Sequence, residues 1–171
     1  MSLANLITMS RGLAIVPIVF LLATGNRWAA WWLFGFACLT DLIDGWVARS
    51  RNEVTRLGKA LDPIVDKALY GSILLTLYAV GDIPTLALTL FLIPQFVLVV
   101  GALVLRIRSN AVQGARVPGK AAAMLTFLAI GFLIVHWPGG TGILYAGIAL
   151  TYVASVDYTQ SAVKVMRSRR D

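Results

Sequence analysis

An all-α integral membrane fold of six transmembrane helices is predicted by three observations. The first is apolar content: 58% of the 171 residues are hydrophobic and 13% are charged, with a mean hydropathy of +0.80, outside the range of soluble chains. The second is that apolar runs of the ~20 residues a helix needs to cross a hydrocarbon core recur along the whole length. The third is that Gly, Pro and charged residues cluster between those runs, as turn and loop signals do. No polar domain interrupts the pattern, so residues 1–171 read as one membrane domain.

Residues 1–11, MSLANLITMSR, carry too little charge for a signal-peptide n-region, and no small-residue cleavage site follows them. They read as mature protein and as a short N-terminal interfacial segment before a first span over residues 12–25. A second span covers residues 27–49 and opens on Trp28, Trp31 and Trp32, suited to an aromatic belt at a lipid interface. A polar loop follows over residues 50–57, then a third span over 59–80. The sequence GDIP, Gly81 to Pro84, is a tight turn. A fourth span reaches Arg106, a basic loop runs from Arg106 to Lys120, and a fifth span ends near His136. After the turn HWPGGTG, a sixth span covers residues 143–163 and leads into the basic tail KVMRSRRD.

The formal net charge of +7 raises the question of nucleic acid. Six spans put both termini and the second and fourth connections on one face, and of the 15 Lys and Arg only Arg27 falls on the other. By the positive-inside rule that face, with both termini, is cytoplasmic. The basicity is then topological, no nucleic-acid partner is needed, and the basic edges suit anionic membrane lipids. The single cysteine, Cys38, lies in an apolar run and reads as a buried small hydrophobe.

Four aspartates stand where apolar helices meet this face. Asp41 and Asp44 end the second span, and Asp62 and Asp66 begin the third. On a helix, Asp41, Asp44, Gly45 and Ala48 share one face, where two carboxylates lie beside residues small enough to admit a ligand to the backbone. Asp62 and Asp66 are spaced i and i+4, and Pro63 makes Asp62 either an N-cap or a residue just before a proline inside the helix. A short loop makes the two helices antiparallel neighbours, so the four acids converge.

Converging carboxylates repel unless cations neutralise them or some are protonated. Oxygen-only ligands select hard divalent ions, Mg2+ or Mn2+, and a pair of such ions suits phosphoryl chemistry. Arg49 lies near Asp41 on the helix wheel, within reach of a phosphate oxygen. Spacing alone leaves three readings open: a metal-dependent phosphoryl-transfer site, a proton or cation pathway such as a divalent-cation transporter, and structural ion pairs. The near absence of charge in spans four to six counts against the transporter.

The pattern Asp41, two residues, Asp44, Gly45, two residues, Ala48, Arg49, eight residues, Gly58, three residues, Asp62, three residues, Asp66 resembles the signature of the CDP-alcohol phosphotransferase family. The resemblance implies an enzyme that transfers a phosphatidyl group from CDP-diacylglycerol to an alcohol and releases CMP. It implies that Asp41, Asp44, Asp62 and Asp66 hold two divalent ions, with Asp66 also the general base for the acceptor hydroxyl. Gly45 and Ala48 would make room for the cytidine, with Arg49, Thr55 and Gly58 in the same CDP-lipid site. It also implies a homodimer in the cell membrane.

The segment NLITMSR resembles the N-x-L-T-x-x-R segment of the branch that makes phosphatidylglycerol phosphate, matching at Asn5, Thr8 and Arg11 and placing Asn5 and Thr8 with the CDP-lipid. LGKALDPIVDK resembles the same branch, whose acceptor is glycerol 3-phosphate. VPGK, Val117 to Lys120, resembles its entry to the fifth span, so Lys120 with Arg106 or Arg116 would grip the acceptor's phosphate. Where that branch carries an Arg-Glu pair, this chain has Pro94 and Gln95. Cardiolipin synthesis, with phosphatidylglycerol as acceptor, is the alternative within the family. His136 reads as a surface residue and Asp157 as an acid satisfied within its span. Tyr70 and Gly71 line either the lipid entrance or a helix contact.

Overall fold

The computed structural model describes the backbone of residues 3–51, 56–109 and 117–167, and the side chains of residues 11–40, 65–99, 118–156, 159 and 160. Six α-helices make up this structure: α1 (Leu3–Ala23), α2 (Arg27–Arg51), α3 (Arg56–Ala79), α4 (Thr85–Ser109), α5 (Val117–Ile134) and α6 (Gly140–Arg167). There is no strand among the described residues. Each expected apolar run is one helix, so the all-α class and the order of elements hold.

The expected N-terminal interfacial segment is helical. Residues 3–11 are the first turns of α1, continuous with the rest of it. Leu, Ala, Ile and Met there are competent helix formers, and nothing between Leu3 and Gly12 breaks the hydrogen-bond ladder. The other helices also extend past their expected ends. Because α3 begins at Arg56, Asp62 and Pro63 lie inside it, and Asp62 is not an N-cap.

The chain forms two compact units. The first contains residues 1–83 and 130–138. Here α1 packs on both α2 and α3. Its core is built at helical spacing: Ile18 and Leu22 from α1, Ala30, Phe34 and Ala37 from α2, and Leu69, Ile73 and Leu77 from α3 are all buried. Gly131 lies beside it: a Cβ there would be 3.8 Å from Trp31 Nε1 and 3.9 Å from Phe34 Cε1, ordinary van der Waals contact.

Three helix ends in this unit close in the same way. After α1, the Gly25 amide donates to the Leu22 carbonyl at 3.1 Å and the Asn26 amide to Leu21 at 2.8 Å. After α3, Gly81 donates to Tyr78 at 3.0 Å and Asp82 to Leu77 at 2.8 Å; after α5, His136 donates to Leu133 at 3.2 Å and Trp137 to Phe132 at 2.8 Å. This is the Schellman closure, which needs a left-handed residue at its first position. Gly25 and Gly81 supply it at φ 80° and 85°, whereas His136 adopts φ 54° with a full side chain.

The second unit contains residues 84–129 and 139–171, with α4 packed on α6. Its buried residues include Ala87, Phe91 and Pro94 on α4, Ala122 and Thr126 on α5, and Leu144, Ile148, Thr151 and Ser155 on α6. Thr126, Thr151 and Ser155 each donate their hydroxyl to the carbonyl four residues back, at 2.8–2.9 Å. Their buried polar atoms are thereby satisfied within their own helix. At Gly147 α6 approaches α5 closely: a Cβ there would meet Thr126 Oγ1 at 3.0 Å and the Thr126 amide nitrogen at 3.1 Å.

Large apolar side chains are also exposed on several helices, among them Leu13, Val16 and Phe20 on α1, Phe36 on α2, Phe96 on α4, and Val153 and Val156 on α6. Among the described residues, no helix is long and apolar enough to cross a membrane. The described side chains omit one end of every helix.

Candidate active site

The aspartates expected to form the site lie on α2 and α3. Asp41 and Asp44 fall three residues apart in continuous helix, as Asp62 and Asp66 do at a spacing of four. The side chains of Asp41, Asp44 and Asp62 lie outside the described residues, as do those of Asn5, Thr8, Ala48, Arg49 and Arg106. Gly45 and Gly58 are backbone positions of α2 and α3, and Thr55 and Arg116 are outside the described residues altogether. Lys120 is exposed on the first turn of α5, in the second unit.

Asp66 is therefore the described member of the acidic set. It sits one turn after Asp62 on α3, with its side chain 34% exposed. Across from it, on α1, stands a residue that sequence reading assigned to topology and to the N-terminal signature. Arg11 is 4% exposed, and its Nη1 donates to Asp66 Oδ1 at 2.7 Å. A charge-assisted bond of this length is among the stronger kinds in proteins. The signal that pointed to it was the N-x-L-T-x-x-R segment; what hid it was the 55-residue separation between donor and acceptor.

Among the described residues, no group of three or more His, Cys, Asp or Glu stands together to hold a metal ion. The chemistry of the donor set still fits a hard cation. The candidate positions on the two helices offer carboxylate oxygen alone, with no thiol or imidazole among them.

A second ionised cluster lies past the other end of α3, whose last residue, Ala79, is about 20 Å along the helix from Asp66. Arg27, at the start of α2, donates to both oxygens of Asp82, Nη1 to Oδ2 at 2.6 Å and Nη2 to Oδ1 at 3.1 Å. His136 Nε2 lies 2.8 Å from Asp82 Oδ1. The Schellman closures of α3 and α5 bring Asp82 and His136 to this position. Burial of Asp82 favours its neutral acid, but the hydrogen bonds from Arg27 and His136, together with their charges, outweigh it and hold the carboxyl below its usual range. Trp28 and Trp32 are exposed near the start of α2, and the exposed Trp137 stacks on Phe132 with centroids 5.7 Å apart.

Sequence reading took His136 for a lone surface residue and GDIP only for a turn. Arg27 off the basic face, the chain's one histidine and an acid in a turn were the signals that belonged together.

The model of one protein family, CDP-alcohol phosphatidyltransferase, matches residues 1–154. The chain belongs to this family of enzymes. It is 35% identical over 178 aligned positions to a probable phosphatidylglycerophosphate synthase of Mycobacterium tuberculosis, covering 95% of this chain and 82% of that one. It is 28% identical to a CDP-diacylglycerol–glycerol-3-phosphate 3-phosphatidyltransferase of Aquifex aeolicus, covering 97% and 98% of the two chains. A rat cardiolipin synthase (CMP-forming) is 35% identical, but over 59% of this chain and 33% of its own. The similarity to the family thus spans both compact units and includes the expected signature on α2 and α3.

Proposed function

We propose that this protein transfers the phosphatidyl group of CDP-diacylglycerol to the hydroxyl of glycerol 3-phosphate, releasing CMP and forming phosphatidylglycerol phosphate. The observation that carries this reading is the match over nearly the whole chain to relatives named for that reaction. The cardiolipin synthase similarity is confined to a shorter region, 59% of this chain and 33% of that one.

In the reaction, the acceptor oxygen attacks the phosphorus that carries diacylglycerol, and the bond from that phosphorus to the bridging oxygen breaks. CMP leaves with the bridging oxygen. Asp66 accepts the proton of the attacking hydroxyl, as a carboxylate within hydrogen-bond reach of it can. Its partial exposure, 34% of the side chain, and its bond from a buried arginine support that role. Asp41, Asp44, Asp62 and Asp66 would hold two divalent ions, Mg2+ or Mn2+. Such ions neutralise a diphosphate and stabilise a departing oxygen. Gly45, Ala48, Arg49, Thr55 and Gly58, with Asn5 and Thr8, hold the CDP-lipid, and Arg106, Arg116 and Lys120 hold the acceptor's phosphate.

The helices cross the cell membrane with Asp66 toward the cytoplasm and the Arg27–Asp82–His136 cluster toward the far side. Their full lengths, 18 to 28 residues, correspond to about 27–42 Å, against about 30 Å for a hydrocarbon core, although the described residues alone contain no stretch that meets both the length and the apolarity of a span. Apolar side chains left exposed on several helices suit lipid. Exposed Trp28, Trp32 and Trp137 beside the Asp82 cluster suit the headgroup level.

Purified protein given CDP-diacylglycerol, Mg2+ and separately glycerol 3-phosphate, phosphatidylglycerol, inositol phosphate or serine tests the reading. CMP release with glycerol 3-phosphate, and a product of matching mass, is expected. Release only with phosphatidylglycerol would make the protein a cardiolipin synthase instead.

A further inference from the structure

Arg11 is the only charged residue of α1, and it is almost fully withdrawn from the surface. A topological arginine acts from a loop or from the headgroup level, where its charge stays solvated. At 4% exposure Arg11 does not. A packing role does not explain it either, because Ile18, Leu22, Leu69, Ile73 and Leu77 already bury the apolar faces of α1 and α3. Replacing a buried ion pair with apolar residues of similar volume is commonly neutral or stabilising. One partner of the buried cation is Asp66, whose Oδ1 accepts from Nη1 at 2.7 Å.

The geometry suits orientation of that carboxylate. An aspartate side chain turns freely about its last torsion, so its oxygens have no fixed direction without a partner. A guanidinium is planar and presents its donors in a rigid fork. Here the arginine is buried, and 34% of the Asp66 side chain is exposed.

We propose that Arg11 is a positioning residue for the transfer reaction: its bond to Oδ1 fixes the direction in which Asp66 meets the acceptor hydroxyl. This rests on the role of Asp66 as proton acceptor given above. α1 thus contributes to the chemistry of an acidic signature carried wholly by α2 and α3.

The test is CMP release by wild type, Arg11→Lys, Arg11→Met and Asp66→Asn, and by Arg11→Met in the Asp66→Asn background, with an unfolding midpoint for each. Misplacing a reacting group by about 1 Å costs about 100-fold in rate, so Arg11→Met is expected to lower kcat by about that factor. KM for both substrates should stay within about threefold of wild type, as for an interaction made in the transition state. Arg11→Lys should restore about a tenth or more of the lost rate, since it keeps a donor and a charge. In the Asp66→Asn background, Arg11→Met should change little, because the group being oriented is gone.

A kcat for Arg11→Met close to wild type overturns the proposal, as does equal loss in the Lys and Met variants. Unfolding of both variants also overturns it, since the pair is then a structural tie. A folded wild type that releases no CMP removes the reaction itself. An active Asp66→Asn removes only the role of Asp66, and Arg11's with it.

Discussion

His136 Nε2 lies 2.8 Å from Asp82 Oδ1, and the histidine adopts φ 54° in the residue position that glycine fills at the ends of α1 and α3. A left-handed conformation costs a residue with a Cβ about 1 kcal/mol. The bond to Asp82 offsets that cost. His136→Gly relieves the strain and loses the bond, whereas His136→Ala loses the bond and keeps the strain. Thermal unfolding in detergent should therefore rank the Ala variant below the Gly variant by about 1 kcal/mol. The reverse order would mean that the turn after α5 is not held in the left-handed form.

Asp82 makes stability depend on acid. Its carboxyl is held below its usual range in the folded protein, while in the unfolded chain it titrates near the ordinary value of about 3.9. The stabilisation is thus fully present above about pH 5 and lost as pH falls through the unfolded value toward the folded one. Asp82→Asn should be less stable at neutral pH and should show a shallower decline on acidification. An acid profile parallel to wild type would exclude Asp82 as its source.

Gly147→Ala should destabilise the second unit by about 1–3 kcal/mol, the usual range for overpacking a tight contact. The new Cβ would press on the Thr126 backbone nitrogen, 3.1 Å away, which cannot rotate aside. Gly35→Ala is the control: nothing lies within 4 Å of its Cβ position in α2. That substitution should be neutral or stabilising by up to about 1 kcal/mol, through helix propensity alone. Similar midpoints for the two variants would contradict the close crossing of α5 and α6.

The helices were legible because their signals are local. Apolar runs, the GDIP turn with Gly81 at φ 85° and the glycine closing α1 are each contained within a few residues. That α1 reaches back to Leu3 was not legible, because polar Asn5, Ser10 and Arg11 interrupt the apolar run, while helix propensity tolerates all three. The pairs that matter most were not legible. Arg11–Asp66 and Arg27–Asp82 each span 55 residues, and His136–Asp82 spans 54. Periodicity assigns a residue to a face of its own helix but not to a partner on another. Sequence did supply the family pattern from Asp41 to Asp66, because the residues of that pattern fall within one short stretch of sequence, on the consecutive helices α2 and α3.

Asp66 is proposed to take the proton in a transfer from CDP-diacylglycerol to glycerol 3-phosphate. The most direct measurement follows labelled glycerol 3-phosphate into lipid, with Mg2+ and CDP-diacylglycerol, for wild type and Asp66→Asn. Wild type should form a labelled phosphatidyl product together with an equal amount of CMP. Asp66→Asn should stay folded and lose at least about 100-fold of that rate, as expected for loss of a general base. Equal labelling by the two proteins, or none by a folded wild type, would contradict the account.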